Sequence, residues 1–220
     1  ALIAGVSSAS GSKIGRVDAG DFVKRGRFEA QLGFLDEHPD VAVVGSSYDL
    51  LGPDDELLVS GTRPLRNSWL SEGSLHECDC APHHGSVMFR REDYDAVGGY
   101  RDAFYFAQDL DLWSRMVEVG HVRCLDEVLY EVRYTPGGLS GRHRYAQQKL
   151  RRIIEKATAA RRAGRDETPW LEKARTVRPG GSGYRQSRVG STAQANYFIG
   201  SCLLDRDDPR AVGYLRKALE

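Results

Sequence analysis

Two acidic elements, far apart in the chain, carry the residue types that a group-transfer reaction needs. The first is Gly15-Arg16-Val17-Asp18-Ala19-Gly20-Asp21, in which Asp18 and Asp21 follow a short apolar run from Ile14 to Val17. A strand ending there turns its acidic side chains out at the carboxyl edge of a sheet, where open α/β sheets place their ligand crevice. Carboxylates on such a loop can hold a divalent cation that neutralises a departing diphosphate. Asp21 can equally serve as the N-cap of a following helix. The second element, Ala107-Gln108-Asp109-Leu110-Asp111-Leu112-Trp113, opens a helix with carboxylates. A helix start holds a side chain rigidly enough for Asp109 to take the proton of an attacking hydroxyl. For Asp111, attraction to the helix dipole is the simpler account.

A third cluster, His76-Glu77-Cys78-Asp79-Cys80-Ala81-Pro82-His83-His84, crowds thiols and imidazoles into one short window. Its C-x-C spacing lacks the usual zinc-knuckle separation and no second ligand pair accompanies it. The preferred reading is a loop lying over the cleft with His84 facing substrate.

The elements that must position these groups follow from periodicity and turn chemistry. A short helix within residues 1–13 stops at Gly11, and the strand Ile14–Val17 follows. From Asp21, the recurrence of Phe22, Phe28, Leu32 and Leu35, broadened by Phe34, predicts a helix that ends at His38-Pro39. Val41 to Gly45 reads as a buried strand. Tyr48–Leu51 and Glu56–Val59 form a hairpin around Gly52-Pro53-Asp54-Asp55. A polar connection over 61–85, with a helical turn near Trp69, leads to the strand Ser86–Phe89. A short helix, Asp93–Val97, closes at Gly98-Gly99. The Asp109 helix runs to about Val119, and strands at 121–125 and 128–134 come after Gly120.

Beyond Ser140 the character changes. Arg142, Arg144, Lys149, Arg151, Arg152, Lys156, Arg161, Arg162 and Arg165 stud a helix with one acid, Glu155. Such a stretch is a solvated helix face or a contact for an anionic membrane surface. Leu150, Ile153 and Ile154 point to packing on the domain. Residues 177–192, rich in Gly, Ser and Arg, read as a flexible linker. Ala193 to Leu219 reads as a helical hairpin, broken at Asp205–Pro209, that packs on the domain or pairs two copies.

Bulk properties set limits. The 220 residues suit one domain with an appendage, and 31 basic residues balance 31 acidic ones, which argues against nucleic acid as a partner. No apolar run approaches the roughly 18 residues of a spanning helix, and no signal peptide is visible. The four cysteines make no disulfide framework, so a reducing cytoplasm, with contact at the inner membrane face left open, is the expected location.

Taken in order, several motifs resemble the family 2 glycosyltransferases, inverting enzymes of the GT-A fold. Arg16-Val17-Asp18-Ala19-Gly20-Asp21 is similar to the family's R-[LVM]-D-A-D-D strand end. Arg27-Phe28, Gln31, Phe34-Leu35 and His38-Pro39-Asp40, then Val43-Val44-Gly45-Ser46, resemble its next stretch. His84-Gly85-Ser86-Val87-Met88-Phe89-Arg90 resembles H-[PG]-S-V-M-[FI]-R, Val97-Gly98-Gly99-Tyr100 resembles V-G-G-Y, and Gln108-Asp109-Leu110-Asp111-Leu112-Trp113 resembles E-D-x-D-L-W. Arg133 and Pro136-Gly137-Gly138-Leu139-Ser140 match the end of that catalytic domain.

The resemblance covers about residues 1–140. It implies an α/β, GT-A-like (Rossmann-like) mixed sheet flanked by helices, without its N-terminal strand–helix units, plus a C-terminal helical extension. The expected organisation is a catalytic domain over 1–140, a basic helical segment over 141–176, a linker over 177–192 and a hairpin over 193–220. The implied activity is transfer of a sugar, hexosyl or related, from a nucleotide-diphosphate donor to a hydroxyl acceptor, with inversion. That acceptor is a glycan, a lipid-linked glycan or a small molecule, as in polysaccharide or glycoconjugate biosynthesis. Asp109 is then the base, with Asp18, Asp21, Arg16 and Arg133 on the donor and His84 and Trp113 on the acceptor. Asp18 and Asp21 would also be the ligands of a Mn or Mg ion. Gly20 stands where the family has a second Asp, and Thr135 where a His completes the cation site, so the expectation is weakened or absent dependence on the cation. Gln108 replaces the acid that commonly precedes the base. The family's first strand and helix should precede Asp18 by several tens of residues, and only seventeen do. A non-catalytic module that binds carbohydrate or nucleotide sugar, or a nucleotidyltransferase of related topology, are the alternatives.

Overall fold

A computed structural model of the chain describes residues 1–61, 68–70, 72–74, 76–78, 80, 82–136, 143–184 and 191–219. In chain order the elements are α1 (Leu2–Ser8), β1 (Lys13–Gly15), β2 (Phe22–Val23), α2 (Arg27–Glu37), β3 (Val41–Leu51), β4 (Leu57–Gly61), β5 (Met88–Arg90), α3 (Arg91–Ala96), α4 (Gln108–Met116), β6 (His121–Arg133), α5 (Arg144–Arg162), α6 (Thr168–Arg175), α7 (Ser191–Leu204) and α8 (Ala211–Lys217). Single 3-10 turns lie at Ser68–Leu70 and His84–Ser86. The chain forms a mixed α/β structure, a six-stranded sheet ordered β1-β5-β3-β6-β2 with β4 also on β3, flanked by helices.

The continuous apolar run at Val41 makes the centre of this sheet. Residues 41–47 of β3 are all buried, as a strand covered on both faces requires. β3 runs parallel to β6 and antiparallel to β5 and β4. The two strands expected at 121–125 and 128–134 are one strand, β6. Its register against β3 shifts where Leu125 gives way to Val128, so Asp126 and Glu127 are accommodated in a bulge and the strand bends rather than ends.

The helix expected from Asp21 starts later. Phe22 and Val23 pair with Glu131 and Tyr130 as β2, and α2 begins at Arg27 behind Gly26, whose φ of 84° suits glycine. Asp21 therefore caps no helix. The buried positions of α2 are Arg27, Gln31 and Leu35, while Phe28 and Leu32 are exposed. The reason is a demand for donors at the strand ends. The Arg27 guanidinium donates to the carbonyls of Arg16 and Val87, and the Gln31 amide to those of Val44 and Ser86. Buried carbonyls without partners would cost about 1–3 kcal/mol each.

The region beyond residue 140 is packed onto the sheet domain. Ala146, Leu150, Ile153 and Ile154 of α5 enclose Ala103, Phe104 and Ala107, the residues leading into α4. At the C-terminal end of α5 the positive charge is neutralised: Arg161 pairs with Glu118 and Glu167, and Arg162 with Glu118. In the segment read as a linker, Val177 is buried and Tyr184 stacks on Phe106 and hydrogen-bonds His143; residues 185–190 lie outside the described residues. Helices α7 and α8 form the expected hairpin, and Ile199, Leu203, Ala211 and Tyr214 pack on Leu50 and Leu58 of the β3–β4 hairpin.

Against the expectation of four reduced thiols, Cys80 is bonded to Cys124, tying the segment before His83 to β6. Such bonds are characteristic of oxidising compartments. No helix among the described residues is long and apolar enough to cross a membrane.

Candidate active site

The acidic turn is held by a tyrosine. β1 runs beside β5, the Arg16 amide extends that ladder to the Val87 carbonyl, and the chain leaves the sheet at Asp18. The buried hydroxyl of Tyr130, from β6, accepts the Asp18 amide at 3.0 Å and donates to Asp21 Oδ2 at 2.9 Å. The other Asp21 oxygen accepts the Arg133 amide at 3.2 Å. One phenol therefore fixes the turn at both ends, and the Arg27 guanidinium lies 4.9 Å from its ring centroid on the sheet side. Burial raises the Tyr130 pKa, so the hydroxyl stays protonated and keeps its donor. Gly85 is required by the same contact: a Cβ there would sit 2.2 Å from the Tyr130 hydroxyl.

Arg16 connects this turn to the histidine pair. Its guanidinium pairs with Asp18 Oδ1 at 2.6 Å and donates to His84 Nε2, which also bonds the Tyr100 hydroxyl at 2.8 Å. A guanidinium can only donate, so Nε2 is the acceptor and the ring proton belongs on Nδ1. Burial, opposed by Asp109 and reinforced by Arg16, brings the His84 pKa down to about 4. Burial also depresses His83, against attraction from Asp21, Asp18 and Asp109. Both imidazoles are thus neutral at physiological pH, and neither supplies an acidic proton. The His83 ring packs between Tyr48 and Tyr130.

Both acidic elements lie within electrostatic range of this pair. Asp18, Asp21 and Asp109 all act electrostatically on His83, and Asp18 and Asp109 on His84. Asp109 sits in the first turn of α4, partly buried, and no hydrogen bond or ion pair joins its carboxylate to another described residue. Trp113, expected beside the acceptor, is buried at 2% exposure in the core and meets the His84 ring edge-on at 5.9 Å. It backs His84 and offers no open face to a ligand. Arg133 reaches the turn through its backbone; its guanidinium is held by Asp55 at 2.6 Å and lies over Phe22. Asp111 is buried and answers two cations, Arg101 at 2.7 Å and Arg115 at 2.6 Å. Partners of this kind, more than the helix dipole, account for it.

A cavity of about 470 Å³ opens on the far side of the turn, between α1 and β1, with Leu2, Val6, Ile14, Arg16, Asp18 and Tyr100 on its walls. That volume falls within the roughly 300–1,000 Å³ of small-molecule sites. In the cysteine–histidine window, Cys78 bridges to Val122 of β6 and Cys80 is bonded to Cys124; Asp79 and Ala81 lie outside the described residues, as do residues 137–140 of the Pro136–Ser140 motif. Among the described residues no three His, Cys, Asp or Glu side chains converge as a metal site.

Tyr130 was not singled out by the sequence, and His83 entered only as a member of the cysteine–histidine window. Tyr130 lies in an alternating strand, where a tyrosine is an ordinary residue, and only its placement opposite the Asp18 turn reveals its task. A signal for Tyr100 was present in Val97-Gly98-Gly99-Tyr100, whose glycines at φ 76° and 64° make the turn that brings the phenol under His84.

No family model matches the chain. It is 29% identical over 137 residues to the amylovoran biosynthesis glycosyltransferase AmsE of Erwinia amylovora, covering 60% of this chain and 49% of that protein. It is 34% identical over 131 residues to the putative glycosyltransferase EpsE of Bacillus subtilis, covering 58% and 45%. The chain thus spans about half the length of the curated relatives it matches. Among solved structures, a mannosyltransferase from Pyrobaculum calidifontis aligns with a TM-score of 0.43 at 17% identity, over 100% of this chain and 58% of that one.

Proposed function

We propose that this chain carries the catalytic residues of an inverting, family 2-type glycosyltransferase of GT-A-like fold, acting on a nucleotide-diphosphate sugar. The observation that carries the reading is that Arg16 joins Asp18 to His84, whose ring meets Trp113, one turn along α4 from Asp109. Similarity to glycosyltransferases supports it, and one of those relatives is named for amylovoran biosynthesis.

In this mechanism the acceptor hydroxyl attacks the anomeric carbon in line with the departing diphosphate. Asp109, free of any pairing cation, takes the hydroxyl proton as the new C–O bond forms and the bond to the phosphate oxygen breaks, inverting the carbon. Asp18 faces the donor with Oδ2, since Arg16 occupies Oδ1. Arg16, beside Asp18, is the cation that meets the developing phosphate charge, and neutral His84 keeps it aimed.

The residues present do not form a cation cage unaided. Asp21 spends both oxygens on Tyr130 and Arg133, Arg16 takes one oxygen of Asp18, and Gly20, at φ 92°, supplies no ligand between them. We accordingly expect weak dependence on Mn or Mg. Calorimetry of nucleotide-sugar binding with and without Mn²⁺ should show affinities within about threefold of each other, well under the 1.4 kcal/mol of a tenfold change. Binding that vanishes on chelation would overturn this part of the reading. Transfer itself is tested with Asp109→Asn: turnover should fall by roughly 10²–10⁴ while donor affinity persists. Full activity in that variant would remove Asp109 as the base.

A further inference from the structure

The two ends of α5 treat their positive charges differently. At the C-terminal end Arg161 and Arg162 are committed to Glu118 and Glu167. Along the middle, Tyr145, Lys149, Arg152 and Lys156 recur at intervals of four, three and four residues, which puts them on one stripe of the helix. That stripe faces Trp170 and Lys173 of α6 across a cleft of about 340 Å³, floored by Ile153. Among the described residues no carboxylate pairs with Lys149, Arg152, Lys156 or Lys173, and the acid on this helix, Glu155, is turned to Arg151. Lys149 donates to the Gly183 carbonyl, which leaves its remaining N–H donors free.

We propose that this cleft is a binding site for a phosphate-bearing anion. The Trp170 ring holds two ammonium groups at once, Lys156 at 5.1 Å and Lys173 at 5.7 Å from its centroid. Like charges gathered on one indole repel each other, and a multiply charged anion between them converts that repulsion into attraction. Lysines suit this task as mobile point charges, and a phosphate presents enough oxygens to meet several of them. The shared chemistry is a phosphate ester or diphosphate, either free in solution or displayed as a lipid headgroup. Ile153 both floors the cleft and packs in the cluster that contains Ala107, the residue before α4, so an occupied cleft would brace the helix that carries Asp109. The site stands whether or not the chain transfers sugars.

The chain has three tryptophans, Trp69, Trp113 and Trp170, and the Trp170 signal is isolated by difference against Trp170→Phe. Indole emission is followed while sodium pyrophosphate is added at constant ionic strength, and separately while phosphatidylcholine vesicles with or without phosphatidylglycerol are added. A saturable change is expected, absent in Trp170→Phe and weakened at least about tenfold in the Lys156→Ala/Lys173→Ala double variant, as loss of charge-assisted bonds implies. Arg151→Ala, off the stripe, should bind within about twofold of the parent. Calorimetry with pyrophosphate should show one binding site fewer in the double variant, whether or not the indole responds. A response to pyrophosphate alone assigns a soluble ligand, and one to phosphatidylglycerol vesicles alone a headgroup. Equal responses in parent and double variant, or none to either probe with equal calorimetric sites, would overturn the proposal.

Discussion

Asp109 and Asp111 stand two residues apart on α4, yet their surroundings are opposite. Two residues along a helix rotate a side chain by about 200°, so one faces the histidine pair and the other the interior. Asp111 is saturated: Arg101 grips it with two nitrogens, at 3.1 and 2.7 Å, Arg115 adds a third bond, and Arg101 passes on to Glu167. Asp109 has no such partner. A carboxylate matched by cations is a structural fastener, and one without such partners retains lone pairs for a proton. The pair teaches that a D-x-D pattern at a helix start divides into one group for stability and one available for chemistry.

That division is broken most directly by exchanging the losses. Asp111→Asn leaves the buried Arg115 guanidinium without a carboxylate and takes one of two from Arg101, and should cost about 3–5 kcal/mol of stability, seen as a large fall in the denaturation midpoint. Asp109→Asn should leave the midpoint nearly unmoved while abolishing transfer. If both variants unfold alike, the two carboxylates are not separated in role.

The next effect concerns the wall that Asp109 faces. His84 binds its proton only near pH 4 in the folded chain, against about 6.5 when unfolded. Between those values the unfolded state holds the extra proton, so the His84 contribution is complete above pH 6.5 and is lost as the pH falls. The loss approaches ~3 kcal/mol at pH 4. Urea titrations across this range should show a shallower pH dependence for His84→Gln. An unchanged slope would place the titration elsewhere.

A smaller effect is expected at the other acidic element. Tyr130→Phe removes the acceptor for the Asp18 amide and the donor to Asp21, costing about 1–3 kcal/mol. Donor KM should rise more than kcat falls, since the change loosens the turn and leaves Asp109 untouched. A selective fall in kcat would show that Tyr130 acts on the chemistry instead.

Much of the scaffold was legible from local pattern. The β3–β4 hairpin follows Gly-Pro-Asp-Asp, the α3 terminus follows Gly98-Gly99, and the C-terminal hairpin breaks where Asp205–Pro209 said it would. α2 was misplaced because Phe22 fits the helical spacing of Phe28, Leu32 and Leu35 by sequence, yet it belongs to an edge strand. Periodicity reports which positions are apolar; it does not report which backbone groups elsewhere need partners. The disulfide was missed for a related reason, since Cys80 and Cys124 are neighbours only once Cys78 has bridged to β6.

The sequence by itself determined the order of elements, the central buried strand and the two acidic motifs, because those depend on residue types a few positions apart. Tertiary structure alone decided that Arg27 and Gln31 face inward while Phe28 faces solvent, and that a tyrosine from β6 fastens the Asp18 turn. It also decided that His84 lies between Arg16 and Trp113 as a neutral ring. The physical reason is the same in each case. Buried carbonyls, amides and charges must be matched by whatever donor the packing brings near, and that donor comes from distant sequence.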